Sequence, residues 1–378
     1  MLFMIKILKK VEIYTPMYSG KKDLLIAGGC IERIANNIES STFPGSVIEK
    51  MDGKIAIPGF IDGHVHVIGG GGEGGFTSRI SEIQTSKLLG CGITTVIGLL
   101  GTDSITKSLI SLFAKIQALR EDGINAYMMT GSYQYPVRTI TGSIERDIVL
   151  LDPVIGVGEL AISDHRSSSI TVDEIKKLSQ ECRVASMLSN KSGKVIVHVG
   201  KSSGMLSPLI EAVSDDEISI NIFLPTHINR NRKLLENGAE WMKMGGFVDL
   251  TADTTSGESV KIKDAIKYLT ENGGDIDHIL VSSDAQGSIP SFDEKGNFLS
   301  MNISDCAVMF KTFKECIGSG MSIEDALKPL TVNVANFFKL KNTGILEENR
   351  RADMILLDRQ TFEMSSIMVN GELYHQNL

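Results

Sequence analysis

From residue 58 onward, short apolar runs alternate with segments in which apolar residues recur every three to four positions. This alternation is typical of parallel strands joined by amphipathic helices. Eight runs are predicted to be strands: 56–62, 94–100, 125–130, 154–161, 194–199, 220–226, 247–251 and 278–283. The segments predicted to be helices are 78–90, 104–122, 172–190, 203–213, 230–244, 258–272, 302–319 and 322–338. Eight strand–helix units predict an α/β protein built on a (β/α)8 TIM barrel.

The two ends of the chain have a different pattern. Residues 1–57 contain short mixed strands and turns, and strand-like runs return after residue 343. We therefore predict two domains. Residues 1–57 and 344–378 form a small β-sandwich, completed only when both termini meet, and residues 58–343 form the barrel.

Composition narrows the range of partners. The 378 residues are 42% hydrophobic and 22% charged, with a net charge of −8 and no long basic run, which argues against nucleic acid or an anionic membrane as a partner. No apolar run approaches the roughly 18 residues that cross a membrane, and the chain start is expected to be a strand rather than a signal peptide. The five cysteines are widely spaced and form no CxxC, which predicts free thiols in a reducing cytoplasm.

The clearest chemical signal is the sequence PGFIDGHVH at residues 58–66. Residues two apart in a strand share a face, so His64 and His66 would point the same way at the strand end. Neutral histidine is the commonest metal ligand near neutral pH. A bare HxH is more often a pair of exposed loop histidines. A metal site is therefore predicted only if other parts of the chain supply further ligands.

Other polar residues lie at the carboxyl ends of further predicted strands, where barrels of this kind carry their active sites. Taken singly, each has an ordinary structural explanation, since an Asp after a strand is often a helix N-cap. Together they predict a metal site, whose ligands are His64, His66, Glu159, His198, His227 and Asp284. Among the remaining histidines, His278 and His375 are expected at the surface, and His165 at most supports the site.

These motifs resemble the amidohydrolase superfamily, through PGFIDGHVH, the single histidines after strands 5 and 6, and SSDA after strand 8. The loops resemble the isoaspartyl dipeptidase (β-aspartyl peptidase) family more specifically, in segments 68–73, 98–103, 130–133, 161–166 and 224–231. The resemblance covers nearly the whole chain. It implies metal-dependent hydrolysis of the β-aspartyl bond of small dipeptides by a metal-bound hydroxide, releasing aspartate and an amino acid, by an enzyme that forms homo-oligomers.

At one position the chain departs from that family, which usually carries a carboxylated lysine bridging two zinc ions. Glu159 stands in its place, after one extra residue. Glutamate also offers two anionic oxygens but reaches roughly 3–4 Å less far. A bulge at Gly158 would carry it inward. We predict that Glu159 bridges two Zn²⁺ per chain, with other divalent metals as options; the alternative is a contact to one metal only.

The resemblance also implies roles for the cavity residues. Asp284 would act as general base and then general acid, and Tyr133 would donate a hydrogen bond to the developing oxyanion. An isoaspartyl dipeptide carries one ammonium and two carboxylates. The matching charges are Glu73 for the ammonium and Arg166 and Arg230 for the carboxylates. The predicted substrate-binding residues are Gly71, Glu73, Thr102, Tyr133, Arg166, Arg230 and Ser288.

Two other functions stay open at this point. The first is a different amidohydrolase, either a cyclic amidase of dihydroorotase type or an N-acyl amino-acid deacylase. A cyclic amide lacks the free ammonium that Glu73 would bind. The second, more remote alternative is a non-catalytic scaffold, although such relatives usually lose metal ligands.

Overall fold

The computed structural model describes residues 5–252, 257–293 and 297–375, so the outermost residues of the predicted small domain lie outside the described residues. The strands in the described ranges are β1 (Lys6–Tyr14), β2 (Tyr18–Ala27), β3 (Cys30–Ala35), β4 (Val47–Lys50), β5 (Lys54–Pro58), β6 (Phe60–Val65), β7 (Ile93–Gly98), β8 (Asn125–Thr130), β9 (Val154–Ile162), β10 (Lys194–Val199), β11 (Phe223–Thr226), β12 (Val248–Thr251), β13 (Ile279–Ser282), β14 (Ser288–Phe292), β15 (Phe298–Ile303), β16 (Met354–Asp358), β17 (Met364–Val369) and β18 (Glu372–His375). The helices are α1 (Thr85–Gly90), α2 (Leu109–Glu121), α3 (Ile144–Leu150), α4 (Val172–Ser189), α5 (Ser207–Ala212), α6 (Arg232–Lys243), α7 (Ile262–Glu271), α8 (Ala307–Gly318), α9 (Ile323–Leu327) and α10 (Val332–Phe337).

Strands from both ends of the chain form one sheet. Its order is β18–β17–β16–β5–β1–β2–β3, and β4 pairs with β1. The antiparallel pair β16–β5 joins the C-terminal strands to the N-terminal ones, with Met354 opposite Pro58 and Asp358 opposite Lys54. Apolar side chains from both ends share a buried cluster that includes Leu8, Leu24 and Leu356. The predicted meeting of the termini is confirmed, and the sandwich arrangement stays a prediction.

A second, curled sheet carries the alternating strands and helices. Six parallel strands run in the order β6–β7–β8–β9–β10–β11, and β12 pairs in parallel with β13. Every residue of β9 is buried, as expected for parallel strands covered on both faces. The end of β6 lies beside the end of β13, because Val65 forms a parallel bridge with Ala285 and the His66 amide donates to the Ala285 carbonyl at 2.9 Å. The carboxyl ends of these strands therefore meet on one side of the molecule.

The predicted first barrel strand, 56–62, was wrong in its bounds. The chain leaves the terminal sheet at Pro58, the end of β5, and enters the curled sheet at Phe60, the start of β6. Gly59 lies between them against the side chain of Thr94, where a Cβ would collide. Both strands are fully buried around this junction, so the apolar pattern runs through it without a visible break.

Several predicted helices also differ from the structure. The helix predicted at 78–90 is only α1, and the one predicted at 322–338 is divided into α9 and α10 around Pro329. Two elements were not predicted: α3, which is capped by the Ser143 side chain, and the β14–β15 hairpin, which occupies the start of the helix predicted at 302–319. None of the helices within the described ranges combines the length and apolar character that a bilayer crossing requires.

Candidate metal centre and substrate cavity

His64 and His66, the two histidines of the PGFIDGHVH sequence, lie at the end of β6. Both side chains are buried, and their rings lie 5.5 Å apart. The carboxylate of Asp62 accepts hydrogen bonds from the Ser283 amide, at 3.1 Å, and from the Ser283 hydroxyl. These bonds tie the strand that carries the histidines to the segment that carries Asp284.

Glu159 reaches the same point through a bulge in β9. Val157 pairs with Val195 and Leu160 pairs with Val197, so Gly158 and Glu159 together oppose one residue of β10. A Cβ on Gly158 would lie only 2.9 Å from the Cβ of Ile196, which explains the glycine. The inserted residue noted in the sequence is therefore accommodated as predicted, and the Glu159 side chain is completely buried.

The Glu159 carboxylate lies between two pairs of histidines. Its Oε1 is 2.8 Å from His198 Nδ1 and 3.0 Å from His227 Nε2. Its Oε2 is 3.3 Å from His64 Nε2 and 3.9 Å from His66 Nε2. Each pair of histidines thus forms, with Glu159, a group of three ligand atoms within 4.8 Å of one another. One carboxylate is shared by two candidate metal positions.

Asp284 is placed on one side of this arrangement. Its Oδ1 lies 3.1 Å from His66 Nε2 and 3.6 Å from His64 Nε2. Asp284 and His227 both have left-handed backbone conformations, with φ of 56° and 64°, just after β13 and β11. Such conformations are uncommon outside glycine and concentrate at functional sites.

Unpartnered buried atoms indicate what these residues hold. Within the described part of the chain, both ring nitrogens of His64, Glu159 Oε2 and Asp284 Oδ1 are buried without a hydrogen-bond partner. Buried polar atoms are nearly always bonded, so four orphans in one cluster require an explanation. Imidazole nitrogens and carboxylate oxygens are the ligands of zinc and similar divalent ions. The residues present therefore fit a metal centre.

The electrostatics lead to the same conclusion. Burial acts to raise the pKa of Glu159, but the neighbouring His64 and His198 hold it well below its usual range. Burial acts to lower the pKa of His64, but the carboxylates of Glu159 and Asp284 outweigh burial and raise it to about 10. The pKa of His227 falls to about 3, through burial and the nearby Arg230. Two ionised, buried carboxylates need a cation between the histidines, either a metal ion or a proton on His64.

Two histidines of the centre are oriented by further partners that the sequence analysis missed. His198 Nε2 lies 3.1 Å from Asp164 Oδ2, and His227 Nδ1 lies 2.7 Å from Thr251 Oγ1. Such outer contacts fix the tautomer and the direction of a metal-binding imidazole. Asp164 lies in segment 161–166, which the sequence analysis noted, but only the neighbouring His165 was considered there, as a residue that at most supports the site. The His165 side chain is 66% exposed and that of Asp164 only 5%, so Asp164 is the buried partner of His198, while a supporting role for His165, which lines the cavity, stays a prediction.

Replacing Asp164 with asparagine is expected to weaken metal binding about 10–100-fold, because loss of such an outer contact typically has this effect. The affinity is measured by titrating the metal-depleted variant with Zn²⁺ against a competing chelator. Asp152→Asn makes the same chemical change at a side chain that is 82% exposed, and serves as the control. Equal zinc affinities in the two variants would contradict the assigned role.

A cavity of about 730 Å³ opens over the centre. Its wall contains side chains from the loops that follow several strands and from the β14–β15 hairpin. The predicted site residues in its wall are His66, Gly71, Thr102, Tyr133, Arg166, His198, His227, Arg230, Asp284 and Ser288. Glu73, His64 and Glu159 lie behind this wall.

Glu73 directly follows the glycine-rich loop, residues 69–72. Its Oε1 accepts hydrogen bonds from Ser288 Oγ at 2.7 Å and Thr102 Oγ1 at 3.2 Å, and lies 3.4 Å from Arg166 Nη1. Its Oε2 is buried and has no partner among the described residues. Gly71 shapes the loop with φ of +82°, where a side chain would collide with the Ser78 carbonyl. The arrangement leaves one carboxylate oxygen unused beside the cavity.

The two arginines and the tyrosine converge on His198. Arg166 binds Asp164 through two nitrogens, Nε at 3.0 Å and Nη2 at 2.9 Å, while Arg230 Nη2 is 3.5 Å from His198 Nε2. The Tyr133 hydroxyl lies 2.8 Å from His198 Nδ1. Burial, followed by the charge of Glu159, raises the pKa of Tyr133 well above its ordinary value, so the phenol stays protonated and can donate a hydrogen bond.

Comparison with known proteins identifies the family to which this fold belongs. Residues 55–374 match the Amidohydrolase family, and the chain belongs to that family. It is similar to the β-aspartyl dipeptidase from Fervidobacterium islandicum AW-1, solved in complex with β-Asp-Leu: 42% identity, TM-score 0.95, and coverage of 100% of this chain and 98% of that one.

More distant relatives carry less information. The adenine deaminase of Clostridium perfringens is 23% identical over 97% of this chain, and the chain spans 58% of the length of that curated relative. Dihydropyrimidinase from Brevibacillus agri NCHU1002 is 15% identical, with a TM-score of 0.67 over 99% of this chain and 95% of that one, which shows a shared fold alone.

Proposed function

We propose that this chain hydrolyses the β-aspartyl peptide bond of dipeptides, releasing aspartate and an amino acid. The observation that carries the proposal is the unpartnered, buried Oε2 of Glu73, whose carboxylate is bonded to the wall residues Thr102 and Ser288 of the cavity that Arg166 and Arg230 also line. Glu73 is the group proposed for the ammonium of an isoaspartyl dipeptide, and Arg166 and Arg230 are the cations proposed for its two carboxylates. The 42% identity to a β-aspartyl dipeptidase over the full chain supports the same assignment.

Two Zn²⁺ ions per chain are proposed as the cofactor. His64, His66 and Asp284 would hold one ion, His198 and His227 the other, and the Glu159 carboxylate would contact both. When bound, such ions supply a nucleophile at neutral pH by lowering the pKa of water, and polarise the scissile carbonyl. The contact of each Glu159 oxygen with a different histidine pair supports the bridging role.

Asp284 is proposed to move the proton. Burial acts to raise its pKa, but the neighbouring His66 and His64 lower it, so the carboxylate is ionised and can accept a proton at neutral pH. It lines the cavity and can pass that proton to the leaving amine, acting first as general base and then as general acid. Thr102, Ser288 and the backbone at Gly71 would complete the contacts to the substrate.

Tyr133→Phe is expected to lower kcat about 10²–10³-fold, the usual loss when one donor to an oxyanion is removed. KM should change little, because the bond strengthens only as negative charge develops. Steady-state kinetics on β-Asp-Leu test this expectation. Tyr135→Phe, which changes a neighbouring tyrosine outside the cavity wall, is the control. A tenfold rise in KM with kcat unchanged would assign Tyr133 to ground-state binding instead.

We also propose that the eight parallel strands close into a (β/α)8 barrel over residues 58–343, with residues 1–57 and 344–378 as the second domain. The bridge between Val65 and Ala285 beside β13 supports closure. A cytoplasmic location and a homo-oligomeric state complete the proposal. The five cysteines are all free, which suits a reducing compartment.

The direct test compares hydrolysis of β-Asp-Leu with that of α-Asp-Leu and measures metal content on the same sample. Cleavage of the β isomer alone, with about two metals per chain, is expected from the proposal. Two metals without cleavage of β-Asp-Leu would contradict the proposed substrate and favour a cyclic or N-acyl amide instead. A single metal with full activity would overturn the bridging role of Glu159.

A further inference from the structure

A second cavity, of about 260 Å³, lies at the opposite ends of the strands from the metal centre. It is bounded by one face of α4, the first residue of β10 and the segment before β11. Lys194, in its wall, starts the strand on which His198 lies four residues later. At the usual rise of a strand, the two residues are roughly 13 Å apart. The cavity is therefore separate from the proposed dipeptide site.

Positive charge is concentrated in this cavity. Arg183 from α4, Lys194 from β10 and Lys339 from the segment after α10 all line it. Glu217 is the single carboxylate among the described residues of its wall. None of the three cations forms an ion pair with a carboxylate inside the described ranges. In a protein with a net charge of −8, three unpaired cations around one cavity are not a consequence of overall composition.

Lys194 is the most constrained of the three. Its Nζ donates a hydrogen bond to the Asn221 carbonyl at 2.5 Å and lies 4.3 Å from the centre of the Phe337 ring. Burial, together with the like charges of Lys339 and Arg183, lowers the pKa of Lys194 to about 8. An anion that joined the cluster would favour the charged ammonium and raise this pKa.

We propose that this cavity is a binding site for a small oxyanion, with Lys194 at its base and Arg183 and Lys339 at its rim. Phosphate and carboxylate groups share the required chemistry: full negative charge and several acceptor oxygens. The guanidinium of Arg183 can bind two of those oxygens at once, while the lysines act as point charges. The site is independent of the dipeptidase reaction, since none of these residues lies in the cavity over the metal centre.

Acylation of Lys194 tests the proposal. The protein is treated with a trace of acetic anhydride at neutral pH, and modification of each lysine is quantified by peptide mass spectrometry. A bound anion that raises the pKa of Lys194 by one unit reduces its reactive, unprotonated fraction roughly tenfold. Inorganic phosphate and succinate are compared separately, each against chloride at equal ionic strength, to distinguish the two anion sources. Lys267, whose side chain is 71% exposed, is the internal reference.

We expect at least one of the two anions to protect Lys194 saturably, with Lys267 unchanged. The double variant Arg183→Gln/Lys339→Gln should lose that protection and keep the wild-type rate on β-Asp-Leu. Lys233→Gln/Lys311→Gln removes the same charge from other helices, keeps the reference Lys267 and should retain the protection. Labelling of Lys194 that neither anion changes, or protection that persists in the Arg183/Lys339 variant, would overturn the proposal. Neither result bears on the dipeptidase assignment, which is measured by hydrolysis.

Discussion

Replacing Glu159 with alanine is expected to reduce kcat/KM on β-Asp-Leu by ~10³-fold or more and to leave fewer than two metals per chain. The reason is the position of this carboxylate, whose two oxygens face different histidine pairs. Its removal takes a ligand from both candidate positions at once and deprives the buried His64 and His198 of their nearest carboxylate. Metal ions contribute several kcal/mol to such reactions, and each 1.4 kcal/mol is tenfold in rate.

Metal content measured beside activity makes this prediction specific. Glu159→Gln keeps the size of the side chain but loses its charge, so it separates the need for an anion from the need to fill space. The wild-type enzyme should show no dependence on bicarbonate, because a glutamate is a ligand without reaction with CO2. Two tightly bound metals in Glu159→Ala would contradict the bridging role. A clear bicarbonate requirement in the wild type would implicate a carboxylated lysine elsewhere.

The gathering of the candidate metal ligands at one point could be predicted from the sequence because the fold imposes a simple rule. Parallel strands present their carboxyl ends on one side, so residues far apart in the chain, such as His66, His198 and Asp284, are brought together by topology alone. The local structure around Glu159, which replaces the lysine usual in the family, could also be predicted. One inserted residue beside a glycine predicts a bulge, and β9 contains that bulge. The rule depends on strand order and not on the shape of any loop.

The supporting contacts could not be predicted in the same way. Asp164 and His165 are adjacent in a loop after β9, and their local sequence does not say which one turns inward. The left-handed conformation of Ser163, with φ of 52°, lies directly before this pair. The structure buries Asp164 against His198 and leaves His165 largely exposed. Thr251 is equally ordinary in sequence, and its contact with His227 depends on how β11 and β12 adjoin.

The errors in element bounds have related causes. The junction at Gly59 was missed because β5 and β6 are both buried, although they belong to different sheets, and burial is all that the apolar pattern records. The β14–β15 hairpin was missed because Ser288 to Phe292 contains a proline and few apolar residues, which is unlike a core strand. This hairpin packs over the cavity and not in the core, and its sequence reflects that location.

Replacing Glu73 with glutamine is expected to lower kcat/KM on β-Asp-Leu roughly 30–1000-fold. The variant removes the anion proposed to bind the substrate ammonium, and losing one partner of a buried charge pair typically costs about 2–4 kcal/mol. Glutamine can still accept the hydrogen bonds of Ser288 and Thr102 through its carbonyl oxygen, so the loop should keep its position. The loss should therefore appear in substrate binding and not in metal content.

The choice of substrates makes this variant decisive between the dipeptidase and a cyclic amidase. A cyclic amide has no free ammonium, so an enzyme evolved for such substrates would tolerate the glutamine.

N-acetylation of the β-Asp-Leu amino group supplies the complementary test. It should slow hydrolysis by the wild type strongly and change the rate of the Glu73→Gln variant much less, because the charge pair is already absent there. Glu258→Gln, at an exposed side chain paired with Lys201 of the cavity wall, is the matched control and should behave as the wild type. Equal losses on acetylation in the wild type and in Glu73→Gln would mean that the ammonium is recognised by another group.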